Sequence, residues 1–367
     1  MSDPRVTKLA KVLIGYSLDI KPGQKLHIST NPLASELTLA VYEQAIKAGA
    51  HVFVEQPMEE LNEIFYKFAS DEQLDFVHPV RKFIIETYDA DLVIDASSNR
   101  RMLSGVDPKR IARSQKARAD LMKTFMERSA RHELAWCLTV YPNNANAQDA
   151  DMSLRDYTEF VFAACMLNED NPIAFWQEEG RCQVKLVEWL KGRDRVTLKG
   201  SNIDMTLSIK DRTFEPCDGK YNFPDGEIFT GPVEDSASGW VRFRYPAIFM
   251  GQEITDIELW FEKGKVVREK ASKNQELLTS TLNTDEGSRY LGEWGIGTNY
   301  GITKFTKDML FDEKIGGTIH FALGASYPET GGKNESAIHW DMLCDMADSE
   351  VTVDDELFYK DGKTVIG

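Results

Sequence analysis

The sequence predicts an α/β N-terminal domain with a mostly parallel sheet over residues 1–190, and a β-rich α+β C-terminal domain over residues 191–367. Three observations support this fold class. A length of 367 residues exceeds what one ordinary hydrophobic core serves. Helical and strand patterns alternate along the first half, which is typical of a parallel sheet flanked by helices. After Gly192, apolar residues alternate with polar ones at the period of half-buried antiparallel strands.

The N-terminal half contains several β-α-β patterns. A helix is predicted over residues 6–18, and a second helix ends at Gly49. Short apolar runs predict strands over residues 25–29, 51–54, 91–96 and 134–141. No glycine-rich phosphate-binding motif follows any of these strands, so a bound nucleotide is not predicted.

Two helices precede the change of pattern. Ser153 and Asp156 resemble a capping box that begins a helix reaching about residue 167, and a further helix is predicted over residues 172–191. In the second half, Lys263-Gly264 is a plausible hairpin turn. Strands are predicted over residues 196–198, 203–209, 241–245 and 257–261, and from residue 266 onwards.

The net charge of −16, from 59 acidic and 43 basic residues, argues against nucleic acid as a partner, because phosphate neutralisation needs a basic face. The segment Arg100 to Arg131 is the exception, with ten basic and three acidic residues, mostly in a helical pattern. We interpret it as a solvated helix or a subunit contact.

Five widely spaced cysteines without a CxxC motif are expected to be reduced and buried. No run of eighteen apolar residues occurs, and no signal peptide is visible at the N-terminus. The sequence therefore predicts a soluble cytoplasmic protein without a membrane partner.

Histidines near the C-terminal end indicate a metal site. His339 and Asp341 are separated by one residue in a predicted strand, so both side chains lie on one face. His320 occurs in a second apolar segment nearby in sequence. Nitrogen and oxygen donors together suit a borderline divalent ion such as Zn²⁺, Co²⁺ or Mn²⁺.

Two glutamates add to this donor set. Glu227 and Glu293 each lie in a glycine-flanked and otherwise apolar segment, where a carboxylate is costly unless it is paired or binds a metal. With the histidines and Asp341, they provide enough ligands for two ions that share a bridging carboxylate. Two such ions assist peptide hydrolysis by activating water and polarising the carbonyl group.

Four segments carry a family resemblance: PDGEIFT at 224–230, YLGE at 290–293, HFALGASYPETGG at 320–332 and SAIHWD at 336–341. In sequence, order and separation, the chain resembles the aminopeptidase T and aminopeptidase S family of thermophilic-type metalloaminopeptidases. The resemblance implies that two divalent metal ions are bound by Glu227, Glu293, His320, His339 and Asp341.

The resemblance also implies that Tyr327 assists catalysis, and its phenol is suited to donate a hydrogen bond to an oxyanion. It further implies removal of N-terminal residues from peptide substrates with broad preference, by a homodimer. Either Glu293 or Glu227 is a candidate general base, although a bridging ligand is a poor base because its lone pairs bind metal.

Two other functions are compatible with parts of the pattern. Glu227 and Glu293 would serve a metal-independent glycoside hydrolase as acid and nucleophile, with Trp240 and Trp294 as sugar platforms. A metal-stabilised peptide-binding module is the second alternative, although structural zinc sites are usually rich in cysteine. The histidines favour the peptidase, since they have no necessary place in the glycosidase mechanism.

Overall fold

The structure is a computed structural model that describes residues 3–249 and 251–366. The chain forms two compact units. The N-terminal unit comprises Met1–Ile173 with Gly219–Phe223, and the C-terminal unit comprises Ala174–Asp218 with Pro224–Gly367. These units are defined by their compactness, which does not show which segments fold independently. The predicted domain boundary between residues 190 and 191 therefore stays a prediction.

The helices largely follow the predicted pattern. They are α1 Pro4–Val12, α2 Ser35–Lys47, α3 Glu60–Phe68, α4 Asp71–Asp75, α5 Pro79–Thr87, α6 Pro108–Ala117, α7 Ala119–Ala130, α8 Asn144–Asp149, α9 Leu154–Ala164, α10 Pro172–Leu190, α11 Gln275–Leu282 and α12 Met309–Asp312. The first predicted helix is an α-helix only as far as Val12 and continues as a π-helical turn, Leu13–Ser17. Within the described residues, no helix combines the length and apolar character of a membrane span.

The strands are distributed unevenly between the two units. They are β1 Lys25–Ser29, β2 His51–Glu55, β3 Ala90–Asp95, β4 Ala135–Val140, β5 Arg195–Gly200, β6 Ile203–Ser208, β7 Glu215–Cys217, β8 Asn222–Phe223, β9 Glu227–Thr230, β10 Ser238–Phe243, β11 Ala247–Phe249, β12 Gln252–Ile254, β13 Ile257–Glu262, β14 Lys265–Lys270, β15 Leu291–Gly297, β16 Thr318–Gly324, β17 His339–Asp345, β18 Glu350–Val353, β19 Glu356–Lys360 and β20 Lys363–Thr364.

The N-terminal unit contains a parallel sheet in the order β2-β1-β3-β4-β8. Leu26, Ile28 and Leu92 are completely buried in it, as expected for a sheet with both faces covered. The predicted parallel α/β fold of this half is therefore confirmed.

The basic segment lies on two helices, α6 and α7, and not on one. Its arginines are largely used inside the unit. Arg113 pairs with Asp71 and Asp75 of α4. Arg128 donates hydrogen bonds to the backbone oxygens of Ile85 and Tyr88. Much of the positive charge therefore stabilises helix packing.

The C-terminal unit contains an eight-stranded sheet in the order β14-β13-β10-β6-β5-β18-β19-β20, a five-stranded sheet in the order β17-β16-β15-β9-β7 and the pair β11-β12. One hydrophobic core includes Val241 of the larger sheet and Trp294 of the smaller one. Lys263 and Gly264 both have positive φ, 49° and 80°, as a tight β13-β14 hairpin of type I′ requires. The predicted β-rich fold and hairpin are confirmed.

All five cysteines are free. Cys137, Cys165 and Cys344 are buried as predicted, and Cys217 is partly buried. Cys182 is exposed, so the prediction that it is buried is wrong. It lies on α10 four residues from Glu178, where one helix face is directed to solvent.

Candidate metal centre

The five predicted ligands lie on one face of the five-stranded sheet. On β15, β16 and β17, the side chains of Trp294, Phe321 and Trp340 enter the hydrophobic core. Because successive side chains of a strand point to opposite faces, the neighbouring ligands project from the other face. These are Glu227 on β9, Glu293 on β15, His320 on β16, and His339 and Asp341 on β17.

Small residues make room for these side chains. Glu227 is paired across the sheet with Gly297, His339 with Gly324, and both Glu293 and Asp341 with Ala322. His320 is paired with Gly295, and a Cβ at Gly295 would lie 2.0 Å from His320 Nε2. The small residues opposite the predicted ligands on neighbouring strands therefore provide the space in which the side chains converge.

Glu293 lies between the two histidines. Its Oε1 is 3.2 Å from His320 Nε2, and its Oε2 is 3.2 Å from His339 Nε2. Glu227 Oε2 lies 3.5 Å from His320 Nε2, and Asp341 Oδ2 lies 3.6 Å from His339 Nε2. We call Glu227, Glu293 and His320 the Glu227 half-site, and Glu293, His339 and Asp341 the Asp341 half-site.

Both imidazole rings are oriented by backbone carbonyl groups. His320 Nδ1 lies 3.1 Å from the carbonyl oxygen of Glu313, and His339 Nδ1 lies 2.8 Å from that of Ala325. With the Nδ1 protons donated to these acceptors, Nε2 is the ring nitrogen left to bind a metal ion. This is the usual arrangement of histidines that bind metal.

The donor set fits divalent metal ions. Ligand atoms around a tetrahedral ion at the usual bond lengths lie about 3.3 Å apart. The separations of 3.2 to 3.6 Å within each half-site match this spacing. Within the described part of the chain, the buried atoms Glu227 Oε2 and Asp341 Oδ1 have no hydrogen-bond partner. Buried oxygens are normally hydrogen-bonded, so this is expected if both atoms bind a cation.

The electrostatics of the site favour positive charge. Burial raises the pKa of Glu227 to about 8 and that of Asp341 to about 6. Burial alone would lower the pKa values of the imidazoles, but hydrogen bonds to Glu293 raise them to about 10 for His320 and about 9 for His339. The same bonds outweigh burial at Glu293 and lower its pKa to about 2. The raised pKa values favour protons on the side chains that would bind a metal ion. Metal binding would release these protons.

Tyr327 lies at the open side of the Asp341 half-site. Its ring centroid is 5.0 Å from that of His339 and 5.2 Å from that of Phe229. The residue is 37% exposed, whereas His320 is 1% exposed. Burial and the nearby carboxylates raise the pKa of Tyr327, so its phenol keeps its proton. The site is therefore open beside His339 and closed beside His320.

The segment that carries Tyr327 is tied to its surroundings by side chains. Ser326 Oγ donates a hydrogen bond to the backbone oxygen of Gly292, beside Glu293. Asp285 accepts hydrogen bonds from Ser336 Oγ and from the backbone nitrogen of Ala337. These bonds fix the segment at both ends, next to Tyr327 and next to His339.

The sequence analysis missed Lys314, a completely buried residue beside the site. Its Nζ lies 3.3 Å from Glu227 Oε1 and forms an ion pair with Glu313. Asp225 also interacts with it electrostatically. Glu227 also belongs to a further group of potential donors with Cys217 and Asp225, and in that group it already pairs with the Lys314 ammonium. Lys314 follows ordinary polar residues, and no sequence pattern distinguishes it.

Other candidate residues lie outside the cluster. Glu234 pairs with Arg212 and accepts a hydrogen bond from the backbone nitrogen of Lys333, which is a structural role. Trp294 is completely buried, and Trp240 belongs to the other sheet. Trp294 cannot stack on a sugar, so the structure removes the support for the glycoside hydrolase interpretation.

Residues 2–364 match the thermophilic metalloprotease (M29) family. Aminopeptidase 2 of Geobacillus stearothermophilus is 28% identical over 406 residues, covering 98% of this chain and 95% of that protein. Aminopeptidase T of Thermus thermophilus is 27% identical over 401 residues, covering 97% and 95%. The resemblance to the aminopeptidase T and aminopeptidase S family is thus confirmed.

A solved structure, wild-type AmpT from Thermus thermophilus, matches with a TM-score of 0.86 at 25% sequence identity, covering 99% of both chains. This likeness confirms the predicted fold class. The family match confirms the prediction of a metal-dependent hydrolase that acts on peptide bonds. Because the match extends over almost the whole sequence, the chain belongs to the thermophilic metalloprotease (M29) family.

Proposed function

We propose that this chain is an aminopeptidase that removes N-terminal residues from peptides with the help of two divalent metal ions. The position of Glu293 carries the proposal. Its two carboxylate oxygens each lie 3.2 Å from the Nε2 atom of a different histidine. A single carboxylate placed between two imidazoles is suited to bridge two ions.

Each half-site provides one nitrogen and two oxygen donors. His320, Glu227 and Glu293 would hold one ion, and His339, Asp341 and Glu293 would hold the other. When bound, the ions supply a Lewis acid that polarises the peptide carbonyl and lowers the pKa of the attacking water. Zn²⁺, Co²⁺ and Mn²⁺ all suit these donors.

Tyr327 is proposed as the residue that assists the reaction directly. Its phenol keeps its proton at neutral pH and is accessible beside His339. It would donate a hydrogen bond to the oxygen that becomes negative in the tetrahedral intermediate. Glu293 contributes by fixing both ions, and because both its oxygens face histidines it is poorly placed to accept a proton.

The open side of the site supports an enzymatic role over a structural one. His339 retains 26% exposure of its side chain, so a substrate can reach the Asp341 half-site. A structural metal site is instead closed by protein ligands, usually cysteines. A peptide with a free α-amine would place its scissile bond beside this half-site.

The family relatives support the remaining parts of the proposal. Aminopeptidase 2 and Aminopeptidase T carry that activity in their names. Broad preference for the N-terminal residue and a homodimer rest on the resemblance. The bounds of a catalytic domain over residues 191–367 rest on the change of sequence pattern after Gly192, and its catalytic role rests on the resemblance. A cytoplasmic location is supported by five cysteines without a disulfide.

The proposal is tested by hydrolysis of leucine p-nitroanilide before and after chelation, followed by addition of Zn²⁺, Co²⁺ or Mn²⁺ one at a time. We expect activity to disappear with the metal and to return with the working ion. Full activity of protein shown to be free of metal would contradict the two-metal mechanism. Binding of two ions without turnover of any aminoacyl substrate would favour the peptide-binding module.

A further inference from the structure

The two half-sites are alike in their donors but differ around their carboxylates. Each contains one histidine whose Nδ1 faces a backbone carbonyl oxygen, and they share Glu293. The remaining ligand is Glu227 in one half-site and Asp341 in the other. Besides the greater exposure of His339, the half-sites differ in what surrounds these two carboxylates.

Lys314 makes that difference. Its ammonium nitrogen lies 3.3 Å from Glu227 Oε1, and the side chain has no exposed surface. Asp341 has no such neighbour: within the described residues, its ion-pair contact is with His339, a ligand of the same half-site. One carboxylate is therefore held by a fixed cation, and the other is not.

Glu313 does not cancel this asymmetry. It pairs with Lys314, and its negative charge acts on both Glu227 and Asp341. Lys314 lies 3.3 Å from Glu227 Oε1 and, within the described residues, forms no ion pair with Asp341. The cation is thus specific to one half-site, whereas the anion is shared.

A buried ammonium group beside a metal ligand weakens metal binding, because it repels the divalent ion through a medium that screens charge poorly. This repulsion decreases with distance, so it acts chiefly at the nearer half-site.

We propose that Lys314 makes the two half-sites unequal, so that an ion at the Asp341 half-site is bound more tightly than an ion at the Glu227 half-site. This inference rests on the proposed two-metal function. It means that the ions load in order: the first enters the open half-site beside Tyr327, and the second enters beside Lys314 at higher metal concentration.

The test is calorimetric titration of the chelated, folded protein with Co²⁺. The wild type is expected to bind two ions in two steps whose dissociation constants differ roughly tenfold or more. His320→Gln should keep the tighter step, and His339→Gln should keep the weaker one. Lys314→Met should tighten the weaker step roughly tenfold or more and leave the other unchanged.

Lys307→Met is the matched control, because Lys307 also pairs with a glutamate, Glu253, but contacts none of the five ligands through that pair. It should leave both steps as in the wild type. The two histidine variants rank the half-sites without altering Lys314, so the test does not depend on the folding of Lys314→Met.

Two ions bound with equal affinity would overturn the inference and leave the proposed function intact. So would retention of the weaker step by His320→Gln, or an unchanged weaker step in folded Lys314→Met. Binding of fewer than two ions by the wild type would overturn the two-metal function, and the inference with it.

Discussion

Two buried histidines in this molecule have carboxylates beside them, but the arrangements differ. His27, on β1 of the parallel sheet, has Asp91 Oδ1 2.6 Å from its Nδ1 and Glu55 Oε2 3.3 Å from its Nε2. His320, on β16 of the antiparallel sheet, has both neighbouring carboxylates, Glu227 and Glu293, at its Nε2.

The difference lies in the direction of the lone pairs. The carboxylates of the His27 cluster lie at opposite nitrogens of the ring, so they cannot converge on one ion with it. Arg81 also lies 3.6 Å from Asp91 and balances its charge. At His320, Nδ1 faces a carbonyl oxygen, and all acidic groups converge on the free nitrogen. Convergence, and not the mere presence of acids, distinguishes a metal site from a structural hydrogen-bond cluster.

The largest expected effect comes from changing each histidine in turn. His320→Gln should reduce kcat/KM by about 10³-fold or more, because an ion that supplies several kcal/mol to the transition state is lost. His27→Gln should instead lower the free energy of unfolding by about 1–3 kcal/mol, because it removes a buried hydrogen bond to Asp91.

Metal content, steady-state kinetics and urea unfolding of both variants check this contrast. His27→Gln should retain the wild-type metal content and kcat. Loss of bound metal from His27→Gln, or full activity of His320→Gln, would remove the distinction between the two clusters.

The tyrosines beside the two clusters provide the second test. Tyr327 lies edge-on to His339 at 5.0 Å, and Tyr88 lies edge-on to His27 at 6.3 Å. Tyr327→Phe should decrease kcat about 10²-fold with unchanged metal content, because one oxyanion hydrogen bond is lost. Tyr88→Phe is the matched control and should leave kcat unchanged. A Tyr327→Phe enzyme with wild-type kcat would exclude the proposed role of the phenol.

A third test concerns the space around His320. The ring of His27 stacks on Phe53, whereas that of His320 lies over Gly295. Gly295→Ala should displace the imidazole, cost about 1–3 kcal/mol of stability and weaken metal binding. Gly105→Ala is the control, because nothing lies within 4 Å of the added Cβ. Unfolding curves and metal titrations measure both effects; wild-type values for Gly295→Ala would show that the ring tolerates the methyl group.

The smallest expected effect concerns carboxyl groups, and it compares Asp91 with Asp312. Asp91 has a cationic neighbour in Arg81, whereas Asp312 accepts hydrogen bonds from Thr306 and its Oδ2 has no partner within the described residues. Burial raises the pKa of Asp312 from 3.8 to about 8. The folded state therefore keeps a proton that the unfolded chain loses, and this contribution to stability decreases as pH rises from 3.8 to about 8.

Asp312→Asn cannot lose this proton, so its free energy of unfolding should fall less steeply over the same pH range. Denaturant titrations of the wild type and the variant at several pH values measure the difference in slope. Parallel pH profiles would show that Asp312 does not titrate in this range.

Much of the fold and the ligand set could be predicted because periodicity and residue chemistry are local. The one-residue separation of His339 and Asp341 predicted that both side chains lie on one face of a strand, and the apolar segments around Glu227 and Glu293 marked their carboxylates as candidate ligands. The residues that set the electrostatic differences were not predictable. Lys314 lies among ordinary polar residues, and only its burial against Glu227 distinguishes it.

Short irregular elements were also missed, for a related reason. The parallel strand β8 has only two residues, and it pairs with β4 from a distant part of the chain. The π-helical turn Leu13–Ser17 keeps the apolar spacing of an ordinary helix. Neither element has enough residues for a periodic pattern to identify it.

The proposed ligands come from four strands, β9, β15, β16 and β17, separated by long stretches of chain. Two histidines one turn apart on a helix can meet an ion as soon as that helix forms, but no short segment of this chain can assemble either half-site. A nascent polypeptide would therefore acquire its full complement of ions only after all four strands have been synthesised and paired. Metal loading would then be a late step of biosynthesis, and the ions would be retained only by molecules whose sheet has assembled correctly.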